Sequence, residues 1–257
     1  MKPHITNMAT TAIIYRESNK KCLFLERKDD THPIKLARGA LCTPGGNWIG
    51  ASAIHDTCPF DTLAREIEEE WNLSRNERDS AELQHLGLVN TTETFAPTPI
   101  SPNTPITQTD REMLQEIKRA VVTAARPYGD FINVIDSSAL KRADPSRNYS
   151  TFSVLVSYFT AALDEETWKK IEVLQSKFGN ISAESISTIT SLDDIVHEQM
   201  HVAFGHDQVL RHFFRSNGYA QQANQMVIVP DILSLQVGMP REHYTEYLAE
   251  MEIMRKP

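Results

Sequence analysis

Four glutamates crowd into the five positions 66–70, inside the run Arg65-Glu66-Ile67-Glu68-Glu69-Glu70-Trp71-Asn72-Leu73. Like charges one helical turn apart repel, so a helix carrying them needs cations to offset the repulsion. Residues 57–71 otherwise read as helix: Pro59 suits a first helical position, Asp61 the first turn, and Phe60, Leu63, Ala64 and Ile67 give an apolar stripe. On that helix Glu66, Glu69 and Glu70 stand at i, i+3 and i+4 and converge on one face, while Glu68 points elsewhere. Three carboxylates on one face supply hard oxygen donors suited to Mg²⁺ or Mn²⁺. Arg65, one turn before Glu69, is placed to hold that carboxylate. A solvated acidic face is the plainer reading of such a run. The context favours a cation, because the helix follows a short strand and a Pro44-Gly45-Gly46 turn. There Gly45 and Gly46 would let backbone approach a metal or a phosphate closely.

The rest of the chain supplies strands and helices without strict alternation, which predicts an α/β (α+β) fold with a mixed sheet. Ala12-Ile13-Ile14-Tyr15 and Cys22-Leu23-Phe24-Leu25, separated by the polar Ser18-Asn19-Lys20, read as a hairpin. Strands are expected at 83–89 and 151–162. Between them, four prolines in residues 96–105 predict an extended loop, and 109–125 predicts a helix with an apolar face. Residues 96–148 thus read as a helical insertion, and its exposed apolar face as a lid or a dimer contact. Helices are expected at 206–215 and about 241–254, with a strand at 226–229. The organisation expected is one domain over 1–216, interrupted by that insertion, with a C-terminal extension over 217–257 packed on it.

Composition narrows the partners. Among 257 residues, 34 Asp and Glu outweigh 26 Lys and Arg, a net charge of −8. That balance argues against general nucleic-acid binding, which calls for a basic patch. No apolar run approaches the ~18 residues of a membrane span, and the first residues lack a secretory apolar stretch, so a cytoplasmic protein is expected. Cys22, Cys42 and Cys58 are an odd, sparse set with no CxxC pair, which argues against a disulfide framework and a cysteine-rich zinc site. A small molecule is the expected partner.

The acidic segment resembles the signature of the Nudix hydrolases, G-x5-E-x7-R-E-U-x-E-E-x-G-U with U apolar. Arg65-Glu66-Ile67, Glu69-Glu70 and Leu73 match its second half, with Asn72 in place of the late glycine, a residue suited to a left-handed helix cap. Gly46 lies 19 residues before Arg65, about five more than the family spacing, and Thr57 occupies the place of the loop glutamate, for which Asp56 or Asp61 could substitute. The flanks, about 8–95 and 148–216, resemble the family's strands and helices in order. The resemblance implies a Nudix-like sheet sandwiched between helices, and hydrolysis of a diphosphate linkage in a nucleotide-type small-molecule substrate. It implies Mg²⁺ or Mn²⁺ held by Glu66, Glu69 and Glu70, with Glu66 or Glu69 orienting or deprotonating water and Glu184 as the candidate remote acid. Homodimers are common in the family. A non-catalytic nucleotide sensor on the same fold is the alternative.

His197-Glu198-Gln199-Met200-His201 spells the H-E-x-x-H pattern of zinc proteases, which needs both imidazoles on one helix face. No third ligand falls at the extended spacing, so the motif reads as coincidence and the protease as a remote alternative. Arg27, at a strand end, and Trp48, in the enlarged loop, are candidates for substrate contact, the first against a phosphate and the second against a base. His85 and Trp71 read as structural.

Overall fold

Alternation along the first strand decides the architecture. In β1 (Asn7–Arg16) and β2 (Asn19–Arg27), Ala12, Ile14 and Phe24 point to one side of the sheet, and Ile13, Leu23 and Leu25 to the other. All six are fully buried, so the sheet must be covered on both faces. The computed structural model describes residues 7–30, 32, 37–48, 56–74, 104–135, 138, 141–142, 145–146, 152–228 and 232–237. Its further strands are β3 (Leu41–Cys42), β4 (Gly45–Asn47), β5 (Ala125–Ile135), β6 (Phe152–Leu163), β7 (Ile186–Ser191) and β8 (Ile232–Val237). The sheet runs β3-β2-β1-β6-β5-β8, with β4 on β1 and β7 on β2. The β1–β6 pairing is parallel and the others antiparallel, so the sheet is mixed.

One face is covered by α1 (Pro59–Glu70), α2 (Gln108–Ala124) and α3 (Glu165–Phe178), through Leu63, Ile67, Ile117, Val121, Trp168 and Leu174. The other is covered by α4 (Leu192–His197), α5 (His206–Ser216) and the short α6 (Ala220–Ala223), through Ile195, Leu210, Phe213 and Phe214. This is the mixed sheet between helices expected from the sequence. No helix among the described residues is long and apolar enough to cross a membrane.

Several expectations change. The apolar face of α2 is not open for a lid or a dimer contact: Leu114, Ile117 and Val121 are buried against α3 and the sheet. Directly after it, within 96–148, the chain forms β5, an interior strand of the sheet, where only a helix was expected. The Pro-Gly-Gly stretch is more than a turn, because Gly45 and Gly46 pair with Thr11 and Thr10 of β1. Residues 180–185 form a turn, in which the Asn180 side chain ties together Ser182, Ser185 and Ser187. Residues 226–228 stay out of the sheet: Met226 N–H closes a turn onto Ala223 after α6, and the strand comes later, as β8. The expected elements at 83–89, most of 96–105 and 241–254, and His85, lie outside the described residues.

A buried histidine fixes the corner leading to β4. His206 Nδ1 accepts from the Thr43 N–H at 3.1 Å, and burial, with Lys28 nearby, lowers its pKa to about 3. The neutral form is therefore favoured by folding. The stability this contributes is full above the unfolded value near 6.5 and is lost as pH falls towards 3. Between pH 7 and pH 5, wild type is expected to lose about 2 kcal/mol more than His206→Gln in paired urea titrations. Parallel losses would rule out this assignment.

Candidate functional site

The acidic helix is buried on two sides. Leu63, Ile67 and Trp71 form its core stripe, and a second, polar stripe of Arg65, Glu66, Glu69 and Glu70 is 4–8 % exposed. Glu68 points away, as the spacing requires, and pairs with Lys118 of α2 at 3.3 Å. Lys118, itself buried, also donates to the Glu68 carbonyl at 3.0 Å, placing a cation at the helix C-terminus where the backbone dipole favours one. Asn72 does not adopt a left-handed cap. Its side-chain amide donates to the carbonyls of Glu68 and Glu69 and satisfies the helix end instead.

Arg65 is the hub of the polar stripe. Its guanidinium reaches Glu69 Oε2 at 2.7 Å, Glu66 Oε1 at 2.8 Å, Asp56 Oδ2 at 3.0 Å and the Asn47 carbonyl at 2.8 Å. Of the two residues that could substitute for the loop glutamate, Asp56 takes the arginine, whereas Asp61 accepts from Thr57. Trp48 is 1 % exposed, and its indole N–H donates to the Asp56 carbonyl at 2.9 Å. It joins the end of β4 to Asp56 and offers no face for a base, which removes it from the substrate contacts.

Glycine is required where β4 meets this helix. A Cβ on Gly46 would lie 2.2 Å from the Glu66 carboxylate, and one on Gly45, at φ +142°, 2.2 Å from the Thr10 carbonyl. Gly46→Ala is therefore expected to displace Glu66 and to destabilise by about 1–3 kcal/mol, as overpacking does. A thermal melt matching wild type would contradict this close approach.

Two residues that the sequence reading does not assign to the site complete it. Glu26 follows Phe24 on the same face of β2, is fully buried, and accepts from the Trp71 indole at 3.2 Å. Lys28 Nζ stands 3.8 Å from Glu26 Oε2. The inward alternation of β2 was the signal for Glu26; it was obscured because Glu26-Arg27-Lys28 reads as a charged strand end. That alternation turns Arg27 to the opposite face, where it is exposed, so the structure does not bring Arg27 to the acidic residues. Glu184 is brought there. It is exposed, in the turn whose Ala183 N–H donates to the Glu70 carbonyl at 2.7 Å.

Burial dominates the electrostatics. It pushes the Glu66 pKa up to about 7, Arg65 opposing and Glu69 and Glu184 adding. Glu70 is raised well above the carboxylate range by burial and then by Glu26, Lys28 opposing. For Lys28 the order reverses: burial lowers its pKa, but surrounding groups including Cys42, Glu26, Glu70 and Glu184 outweigh it and the ammonium persists. Arg65 and Lys28 thus do not compensate the full charge of these carboxylates, and without a further cation burial favours the protonated forms of Glu66 and Glu70. No three His, Cys, Asp or Glu side chains among the described residues form a ready metal cage. Glu66 and Glu69 are engaged by Arg65, whereas Glu70 Oε2 and Glu26 Oε2 are buried and accept no hydrogen bond. Those open oxygens suit Mg²⁺, which takes one or two carboxylates and completes its shell with water and phosphate.

No family model matches the chain, and no curated protein matches it in sequence. Solved structures do match in shape. A NUDIX hydrolase from Alicyclobacillus acidocaldarius is 14% identical at a TM-score of 0.42, with 90% of this chain and 100% of that one covered. A MutT protein from Methanosarcina mazei Go1 is 15% identical at 0.41, covering 85% and 99%. A mutT/nudix family protein from Listeria innocua is 15% identical at 0.40, covering 84% and 96%. Likeness this distant says nothing of the chemistry of this chain.

The zinc-protease pattern fails on backbone geometry. α4 ends at His197, Glu198 caps it, and Gln199 turns to φ 53°. His197 and His201 therefore share no helix face, and both are exposed. A groove of about 600 Å³ beside α3, lined by Met113, Glu165, Glu166, Lys169, Lys170 and Val173, shares no residue with the acidic site.

Proposed function

We propose that the chain hydrolyses a diphosphate linkage in a nucleotide-type substrate, with Mg²⁺ or Mn²⁺ as cofactor. The observation that carries this reading is the gathering of Glu66, Glu69 and Glu70 in a buried stripe against Gly46, in a segment that resembles the Nudix signature. Such a concentration of buried carboxylate opposes folding unless cations compensate it.

In this reading Glu70, with Glu66 and Glu69, holds the divalent ion, whose charge polarises the phosphoryl group and favours deprotonated water at neutral pH. Glu66 or Glu69 would orient the attacking water or receive its proton. Glu184, exposed beside the buried carboxylates, is the remote candidate for that proton. Arg65 positions Glu66 and Glu69 rather than touching substrate, since all its polar reach is spent on Asp56, Asn47 and the two glutamates.

A chromatographic screen for release of nucleotide products from nucleoside triphosphates, ADP-ribose, dinucleoside polyphosphates and sugar nucleotides, with and without Mg²⁺ or Mn²⁺, tests the proposal. Release that requires the ion and disappears in Glu70→Gln is expected. Tight binding of one nucleotide without turnover would favour a sensor instead.

A further inference from the structure

The Nudix-like signature ends at the acidic helix, yet the most deeply buried carboxylate of the site comes from the sheet. Glu26 has no exposed surface, and its neighbours are Trp71 on one oxygen and Lys28 at 3.8 Å from the other. A buried glutamate in a strand is destabilising unless its charge is answered. Lys28 answers it in part, but the same ammonium also faces Glu70, whose Oε2 is likewise buried without a donor. Two buried carboxylates from different elements therefore share one cation, each keeping an oxygen that accepts no hydrogen bond.

We infer that Glu26 is a cation ligand: β2 delivers to Glu70 a second carboxylate from outside the acidic helix, and the pair holds one divalent ion. The inference rests on the reading of this cleft as a cation-dependent diphosphate site. It assigns to Glu26 a role that the resemblance gives to helix residues alone. Glu66 and Glu69, engaged by Arg65, then sit beside the ion rather than supplying most of its charge. The exposed Glu184 marks the solvent side from which the ion enters.

Mn²⁺ binding to the metal-free full chain, followed by electron paramagnetic resonance titration, tests this without any substrate. Glu26→Gln is expected to weaken Mn²⁺ at least about tenfold, as Glu70→Gln does. The loss in the double variant should depart from the product of the two single losses, because both act on the same ion. Without metal, Glu26→Gln should melt higher than wild type, and Mn²⁺ should no longer raise its melting temperature. If Glu26→Gln does not fold, Glu26→Asp keeps the charge on a shorter stem and must still weaken Mn²⁺. Wild-type affinity in the folded Glu26 variant, alongside loss in Glu70→Gln, would overturn the role of Glu26 and leave the proposed function standing. Wild-type affinity in both variants would overturn the two together.

Discussion

Glu70→Gln is expected to lower turnover of the cleaved diphosphate at least about 100-fold while the chain stays folded. The side chain is 4 % exposed and lies among like charges, with one oxygen accepting no hydrogen bond. Replacing it by an amide of equal size removes the charge and keeps the volume. Without divalent ion the variant should melt above wild type, because folding no longer has to bury or protonate a carboxyl beside Glu26. Steady-state rates at saturating Mg²⁺ and metal-free melts read the two halves separately. An unchanged rate would dismiss Glu70 as the residue holding the ion.

Arg65→Met should cost about 3–5 kcal/mol, the range for removing one partner from a buried ionic network. The substitution leaves the carboxylates of Asp56, Glu66 and Glu69, and the Asn47 carbonyl, without the guanidinium that joins them. Arg65→Lys should recover only part of the loss, since one ammonium cannot span three carboxylates and a carbonyl as a planar fork does. Urea denaturation at neutral pH measures both. A loss below about 1 kcal/mol would mean that these acids are protonated in the native state and do not need the arginine.

The hairpin of β1 and β2, the acidic helix, β6 and α5 were legible because each has one dominant local signal. Ala12 to Leu25 alternates with period two, Pro59 and Asp61 open α1, and Asn217-Gly218 stops α5. The divergence of Glu68 from its neighbours, and the Arg65–Glu69 pair, follow from helix geometry alone. Helix α3 was equally marked, by the Asp164 cap, the Trp168, Ile171, Leu174 and Phe178 stripe and the left-handed Gly179, but went unread. Other features had no local signature. Ala125-Arg126-Pro127-Tyr128-Gly129 reads as the end of a helix, and only pairing with β6 and β8 makes it a strand. Trp48 reads the same whether it lies in a cleft or under a loop; its bond to Asp56 across an enlarged turn decides. Glu26 and Lys28 gain their meaning from Glu70, more than 40 positions further along.

The parallel ladder between β1 and β6 joins Asn7 to Val154 and Arg16 to Leu163. The partners lie 147 positions apart (154 − 7), so a ribosome must release that stretch before the two strands meet. Until then the chain emerges with α1 lacking Phe159, whose ring later lies 6.1 Å from that of Phe60. Closing so wide a loop is slow, and an unsealed strand edge meanwhile invites association between nascent copies. The net charge of −8 opposes that association, because like-charged chains repel one another while the sheet is still open.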